Sequence, residues 1–417
     1  MEVENAIEVN AMSNSVDSID NTDKSTELVT TDESGTSREG SLDPEFITAR
    51  GRENSVDSVS GLSGRSETAL FNAINNLDVK AVEVLIKQET DLTFKAPVYK
   101  GRTALHELVL TQMSLTPLEW TSELHLTFID ILTLLMDNGV DINAVDDLRK
   151  TALHYAAASS SRSGIMKVLM SSGINPNSKD NTQQTALHKA VTKGNVTDVE
   201  SLLEGGSNPN LLDVNGCSPL HLAAKRKHNT AITEALLNAG ARVNECTVDE
   251  KACGSSPLHL AVKFGSLDNA KMLLDNGADL KVRDIAGQTP IIVAARHDLT
   301  GKMLSLLIEY GADVNDQDTV YGETSLHKAV RHDMIENMTV LAKYKADPNR
   351  GDLAGDTPLH AAAIFCYKTP IWVRLVTMGG YVNLRNNAGL TPLDKALKAK
   401  NPIAISLMRD CGFTRLK

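Results

Sequence analysis

An all-α solenoid of stacked helical hairpins is the fold class this 417-residue sequence predicts, and three observations point to it. A helix-start residue recurs ten times, at Thr68, Thr103, Thr151, Thr185, Ser218, Ser256, Thr289, Thr324, Thr357 and Thr391, with most spacings between 33 and 35 residues. Aromatic residues make up 4% of the chain against 41% hydrophobic, which suits small-residue helix packing better than one large core. Each unit is also too short to cover its own apolar faces, so it needs like neighbours on both sides.

The stretch from Ser256 to Leu280 shows how one unit is built. Ser256 suits an N-cap and Pro257 the first helical position, where no N–H is needed. Ala261 and Val262 are small enough to admit a second helix, and Gly265 turns the chain. Leu267, Ala270, Leu273 and Leu274 line one face of that second helix, which Gly277 stops at C′. Leu258 falls where it should lie between neighbouring repeats.

Residues 1–65 have a different composition. They are rich in Ser, Asp, Glu, Thr and Asn and carry fourteen acidic against five basic residues, −9 of the chain's −11. Such a segment cannot bury enough apolar surface to offset ordering entropy, and it is expected to be a disordered, acidic, Ser-rich tail. The pentapeptide N-S-V-D-S occurs at 14–18 and again at 54–58. It reads either as a docking or phosphorylation element or as chance in a biased composition. The five cysteines show no paired spacing, which favours a reducing compartment. No basic n-region opens the chain and no run of about 18 apolar residues follows, so neither secretion nor membrane insertion is expected. The sequons at Asn195 and Asn337 carry weight only in a secreted protein.

The repeated wording T-P-L-H, A-A, L-L and G-A-D-V-N is nearest to intact in A-L-H-K-A-V (186–191), P-L-H-L-A-A (219–224) and Y-G-A-D-V-N (310–315). By this wording the chain resembles the ankyrin-repeat family over about 350 residues, which implies an ankyrin-repeat domain at 66–417. In that family each repeat is a β-hairpin finger followed by two antiparallel helices. The fingers and first helices form a concave face that binds proteins. The first and last repeats depart from the pattern as caps do, with Phe71 and Asp394 at the usual His position, and Ile292 replaces that His in the seventh. An insertion near 113–124 is read as interrupting the turn between the two helices of the second repeat. Its Trp120 either packs on its own scaffold or makes a contact. Five extra residues lengthen the finger before Ser256.

Catalytic and metal chemistry find little support. His106, His154, His188, His221, His259, His327 and His360 occupy one place in successive repeats, so each is expected to bond nearby backbone. His106-Glu107 opens like H-E-x-x-H but has Leu110 where the second His must stand. Cys246 and Cys253 do not match zinc-ligand spacing. Walker loop, dinucleotide fingerprint and nucleophile elbow are all missing, and neither enzyme activity nor a cofactor is expected.

Basic residues follow the A-A or A-V pair at Lys193, Lys225, Arg226, Lys227, Lys263, Arg296 and Arg331. Two readings apply, binding of an acidic segment of a protein partner and compensation of the helix dipole. Arg283 and the finger residues Leu212 and Ile285 are grouped with this surface as partner-binding candidates. The acidic tail could itself fold back over the basic row and compete with a partner. Lys225-Arg226-Lys227 resembles a short nuclear-import cluster, so a cytoplasmic protein with access to the nucleus is expected. DNA or RNA binding would need far more positive charge.

The function expected from the resemblance is a protein-interaction scaffold or adaptor. The alternative is a cytoplasmic inhibitor of a transcription factor similar to the I-kappa-B group, regulated by phosphorylation of the tail. Glu33-Ser34-Gly35-Thr36-Ser37 resembles that group's D-S-G-x-x-S element, with Glu for Asp and one residue fewer between the serines. Ser34, Ser37 and Ser55 are the phosphorylation candidates, Ser55 on the basophilic pattern Arg52-Glu53-Asn54-Ser55.

Overall fold

The computed structural model describes residues 64–88, 90–96, 100–114, 121–159, 163–227, 230–247 and 254–410. They all belong to one compact unit. Helices come in ten pairs: α1 (Gly64–Asn75) with α2 (Val79–Lys87), α3 (Ala104–Ser114) with α4 (Ser122–Asp137), α5 (Ala152–Ala158) with α6 (Ser163–Ser171), α7 (Ala186–Lys193) with α8 (Val196–Glu204), α9 (Pro219–Ala224) with α10 (Thr230–Asn238), α11 (Pro257–Lys263) with α12 (Leu267–Asp275), α13 (Pro290–His297) with α14 (Lys302–Glu309), α15 (Ser325–Arg331) with α16 (Ile335–Lys343), α17 (Pro358–Phe365) with α18 (Thr369–Thr377) and α19 (Pro392–Ala399) with α20 (Pro402–Asp410). First helices stack on first helices all along the array, and from α6 onward second helices stack likewise. The fold is the solenoid that the spacing predicts.

The helix starts explain themselves chemically. Ser256 Oγ accepts the N–H of His259, while the His259 ring accepts the N–H of Ser256, a capping box with His in the place usually held by Glu or Gln. Thr151, Thr185, Ser218, Thr324 and Thr357 begin their helices in the same way. Two residues beyond each start, Leu105, Leu153, Leu187, Leu220, Leu258, Ile291, Leu326 and Leu359 are buried to 1% exposure or less. Where the His is replaced, the neighbours adjust. Phe71 is buried against Phe94, edge to face, and Asp394 keeps the capping box at α19.

Between the pairs, the fingers are tight turns closed by a backbone bond, such as Asp180 N–H to Gln184 O at 2.9 Å, and by a side chain, in place of extended hairpin strands. Among the described residues the only β pairings are isolated bridges, Ala96 with Arg102 and Gln317 with Thr324. An acidic or amide residue opens most of the turns, with Ala96 and Thr247 in that place in two of them. Asp180 Oδ1 accepts the N–H groups of Thr182 and Gln184 at 2.8 and 2.9 Å, and Asp146, Asp213, Asp352 and Asn386 do the same for their own turns. The side chain thus supplies acceptors that a ladder strand would otherwise provide. Fingers are stitched to each other by single backbone bonds, such as Val214 N–H to Thr182 O and Leu353 N–H to Tyr321 O. Gly287, at φ +70°, is needed where the next finger crosses, since a Cβ there would stand 2.7 Å from Thr319 N.

Part of the insertion is helical. Met113 and Ser114 end α3, while Ser122 to Leu124 open α4 under an N-cap from Thr121, making α4 the longest helix described, at 16 residues. Reading 113–124 as an interrupted turn overlooked that the extra residues could extend both helices. Trp120 lies outside the described residues, as do Cys253, Ser34, Ser37 and Ser55.

Candidate functional site

The histidines come first, since they are the most chemical-looking groups. Nδ1 of His154, His188, His327 and His360 accepts the backbone N–H of the helix-start residue at 3.1–3.2 Å. Nε2 then faces a carbonyl of the next repeat: Gln184 O at 3.0 Å, Cys217 O at 3.1 Å, Asp356 O at 2.8 Å and Leu390 O at 3.0 Å respectively. His106 and His259 bridge in the same way to Lys150 O and Gln288 O. A carbonyl can only accept, so Nε2 carries the proton and the ring is neutral. Burial opposes charging in all seven, and it lowers His188 and His221 to about 4. Six of these rings rivet one repeat to the next with both nitrogens occupied, whereas Nε2 of His221 is buried and finds no hydrogen-bond partner among the described residues. Among the described residues no group of His, Cys, Asp and Glu could hold a metal ion.

The basic residues gather at the C-terminal ends of first helices, but not in the simple row that the sequence suggests. Lys225, Lys263, Arg296 and Arg331 share one register, seven residues beyond the helix start. Lys193 stands one position further on, and the residue in register in its repeat is Thr192. Lys193, Lys227 and Lys263 are exposed; Lys225, Arg226, Arg296 and Arg331 are half-buried. Arg226 reaches back to the carbonyl of Thr192 at 2.7 Å. Lys225 and Arg331 each lie over a ring one repeat ahead, Phe264 at 5.7 Å and Phe365 at 4.2 Å.

Sequence reading missed the ion network beneath this row. Lys328, 7% exposed, lies 3.1 Å from Asp318 Oδ2 and bonds Glu323, which also takes Arg331. Burial raises the Glu323 pKa, but the Lys328 and Arg331 charges outweigh that and hold it at about 2. A signal was present, since six residues separate Asp318 from Thr324 where five separate Asp284 from Thr289. The extra residue brings a carboxylate under the lysine.

Arg283 is committed elsewhere. Its guanidinium donates to Gly287 O, Gln317 O and Asp316 Oδ1, all at 2.8 Å, tying two fingers together. Leu212 is half-buried, and its carbonyl accepts from Lys179 at 2.7 Å. Ile285 does project, at 64% exposure, in line with Val214, Val320, Tyr321 and Leu353 at the other finger tips. Isolated exposed apolar residues need no explanation, whereas Ile285, Tyr321 and Leu353 stand at three successive tips.

Comparison with known proteins agrees with this architecture. The family model for ankyrin repeats matches in three copies, at residues 124–213, 187–284 and 280–352. Relatives include ankyrin repeat protein FPV031 of fowlpox virus, 32% identical over 37% of this chain and 47% of its own length. The mouse B-cell lymphoma 3 protein homolog is 30% identical over 39% of this chain and 36% of its own length. Mouse neurogenic locus notch homolog protein 1 is 36% identical over 38% of this chain and 6% of its own length. The chain thus spans less than half the length of each of these relatives. The crystal structure of the human ASB11 ankyrin repeat domain, at 27% identity, covers 54% of this chain and 97% of its own with a TM-score of 0.47. No helix among the described residues is long and apolar enough to cross a membrane. With more than half of its length matched by the family model, and with ten stacked helical pairs joined by short fingers, the chain belongs to the ankyrin-repeat family.

Proposed function

We propose that this chain is a non-enzymatic protein-interaction scaffold whose partner presents an acidic segment carrying apolar side chains. One observation carries the reading: four cations in a single register, Lys225, Lys263, Arg296 and Arg331, recur in the same array whose finger tips expose Val214, Ile285, Tyr321 and Leu353. A partner complementary to both features would gain encounter rate and register from the charges and affinity from the tips. The exposed ammonium groups of Lys193, Lys227 and Lys263 are the ones available to it, because Arg331 is already balanced by Glu323. The acidic residues 1–65 are a natural competitor for the same surface.

The test is affinity purification of residues 66–417 with mass spectrometry, run beside Lys193→Glu/Lys227→Glu/Lys263→Glu and Ile285→Ser. The scaffold reading expects a discrete set of proteins that is lost in both variants while helical content is unchanged. Retention of the whole set by the charge-reversed variant would sink the acidic-partner reading. If binding and its salt dependence are the same with residues 1–65 present, competition by the tail is wrong. A second reading, masking of a transcription factor under phosphorylation of Ser34, Ser37 or Ser55, is favoured by the E-S-G-T-S element in the tail. It requires that kinase treatment of the full chain change partner affinity, and unchanged affinity rejects it.

A further inference from the structure

A buried polar residue recurs at several of the joints where a second helix meets the preceding repeat, while Ile232, Leu304 and Ile371 hold that register in others. In the sixth repeat the third residue of α12, Asn269, donates its amide to Ala223 O at 3.1 Å and to Arg226 O, at the carbonyl end of the previous first helix. In the eighth, the third residue of α16, Asn337, does the same to Ala294 O at 3.3 Å and Ala295 O at 3.0 Å. Asn401 closes the last joint by donating to Ala363 O and Cys366 O. Each bond needs a donor, because the partner is a carbonyl at the C-terminal end of its helix, where Ala223 O and Ala294 O also take the backbone N–H of Arg226 and Asp298 and Arg226 O and Ala295 O are reached by the asparagine.

In the fourth repeat the third residue of α8 is Asp198, 2% exposed, in the same register. Its Oδ2 accepts the Asn195 amide at 2.5 Å, while Oδ1 is buried and finds no partner among the described residues. A carboxylate has no proton to offer the carbonyl end of α5, where the corresponding acceptors would belong to Ala156–Ser159. We infer that Asp198 is a proton-operated latch between the third and fourth repeats: with a proton taken from solvent it donates to the carbonyl end of α5 as the asparagines do, and once ionised it leaves that joint unfastened.

The surroundings agree. Burial raises the Asp198 pKa to about 6, and only the Asn195 amide opposes that. Charged groups on the helices packed around it are turned elsewhere. Lys167 of α6, Lys193 of α7 and Glu234 of α10 are exposed, as are Glu200 and Glu204 of α8 itself. Lys189 of α7 pairs with Asp180 at 2.9 Å, Tyr155 of α5 bonds Asp146, and His154 and His188 are held in the bridges between repeats.

Because the folded state holds this proton more tightly than the unfolded chain, the joint loses stability as pH rises from about 4 to about 6 and stays weak above. The experiment is urea unfolding of the full chain at pH 4.5 and 7.5 for the wild type, Asp198→Asn and Asp198→Ala. Comparing variants at one pH cancels what the histidines contribute. At pH 7.5 Asp198→Asn should raise the folding equilibrium constant over wild type, and that advantage should shrink on the order of tenfold or more at pH 4.5. Asp198→Ala, which removes the charge without supplying a donor, should gain less than Asp198→Asn. An Asn advantage independent of pH, or an Ala variant as stable as the Asn variant at pH 7.5, overturns the latch.

Discussion

The seventh and eighth repeats have nearly the same backbone and hold it by opposite means. In the seventh, Ile292 replaces the bridging His and Val293 follows it, both buried and both without charge. The capping box is lost, and the Thr289 hydroxyl turns instead to Asp316 Oδ2 of the next finger at 2.9 Å. With Val293 where the eighth repeat has Lys328, the half-buried Asp284 of this finger lacks that lysine, and desolvation raises its pKa. In the eighth, His327 keeps both bonds and Lys328 gathers Asp318 and Glu323. A repeat can therefore be fastened by apolar burial or by an internal ion network. The first is indifferent to pH at the helix and the second is not.

Three substitutions would break or sharpen that contrast. Glu323→Ala removes the acceptor of two cations, one of them buried, and should cost about 3–5 kcal/mol in urea unfolding. A loss below about 1 kcal/mol would mean that the network contributes little to the fold. Next in size is Ile292→His, which imports a buried imidazole into the seventh repeat. Burial lowers the pKa of the native histidines, so the unfolded chain binds more protons below pH 6.5 and stability is lost as the pH falls through that value toward about 4. The variant should therefore lose more stability than wild type between pH 7.5 and 5, by about 1.4 kcal/mol for each unit its new histidine is lowered, up to about 2 kcal/mol once its pKa lies below 5. Parallel losses would contradict it. The smallest effect belongs to Thr289→Val, which deletes the bond to Asp316 and should cost about 0.5–1.5 kcal/mol, read as a shift in the same unfolding midpoint.

The helix starts, the buried leucines and the structural role of the histidines were legible in the sequence because each is set by local spacing. Ser256, Leu258 and His259 stand where the periodicity puts them. What escaped was long-range or depended on counting within a finger. The six bridges from Nε2 to the next repeat join residues mostly 29–30 apart, and nothing near His188 announces Cys217 O. The basic residues were legible as a set but not in register, since Lys193 and Lys225 both follow the small-residue pair yet sit one position apart on the helix. Arg283 reads as a surface cation and serves as a strut, because its three acceptors come together only when two fingers stack. Asp198 reads as an ordinary acidic residue early in a helix, and only comparison with Asn269 and Asn337 exposes its missing proton.

One rivet spans a longer stretch of chain than the others. His106 reaches Lys150 O at 2.8 Å across 44 residues, although the insertion lies between them, and it makes the same bond that His188 makes across 29. The imidazole thus works as a gauge block, setting the distance from one helix start to the next whatever length of chain is threaded in between. Loops in such an array can be lengthened and rewritten while the spacing of the units, and so the alignment of anything displayed on them, is kept.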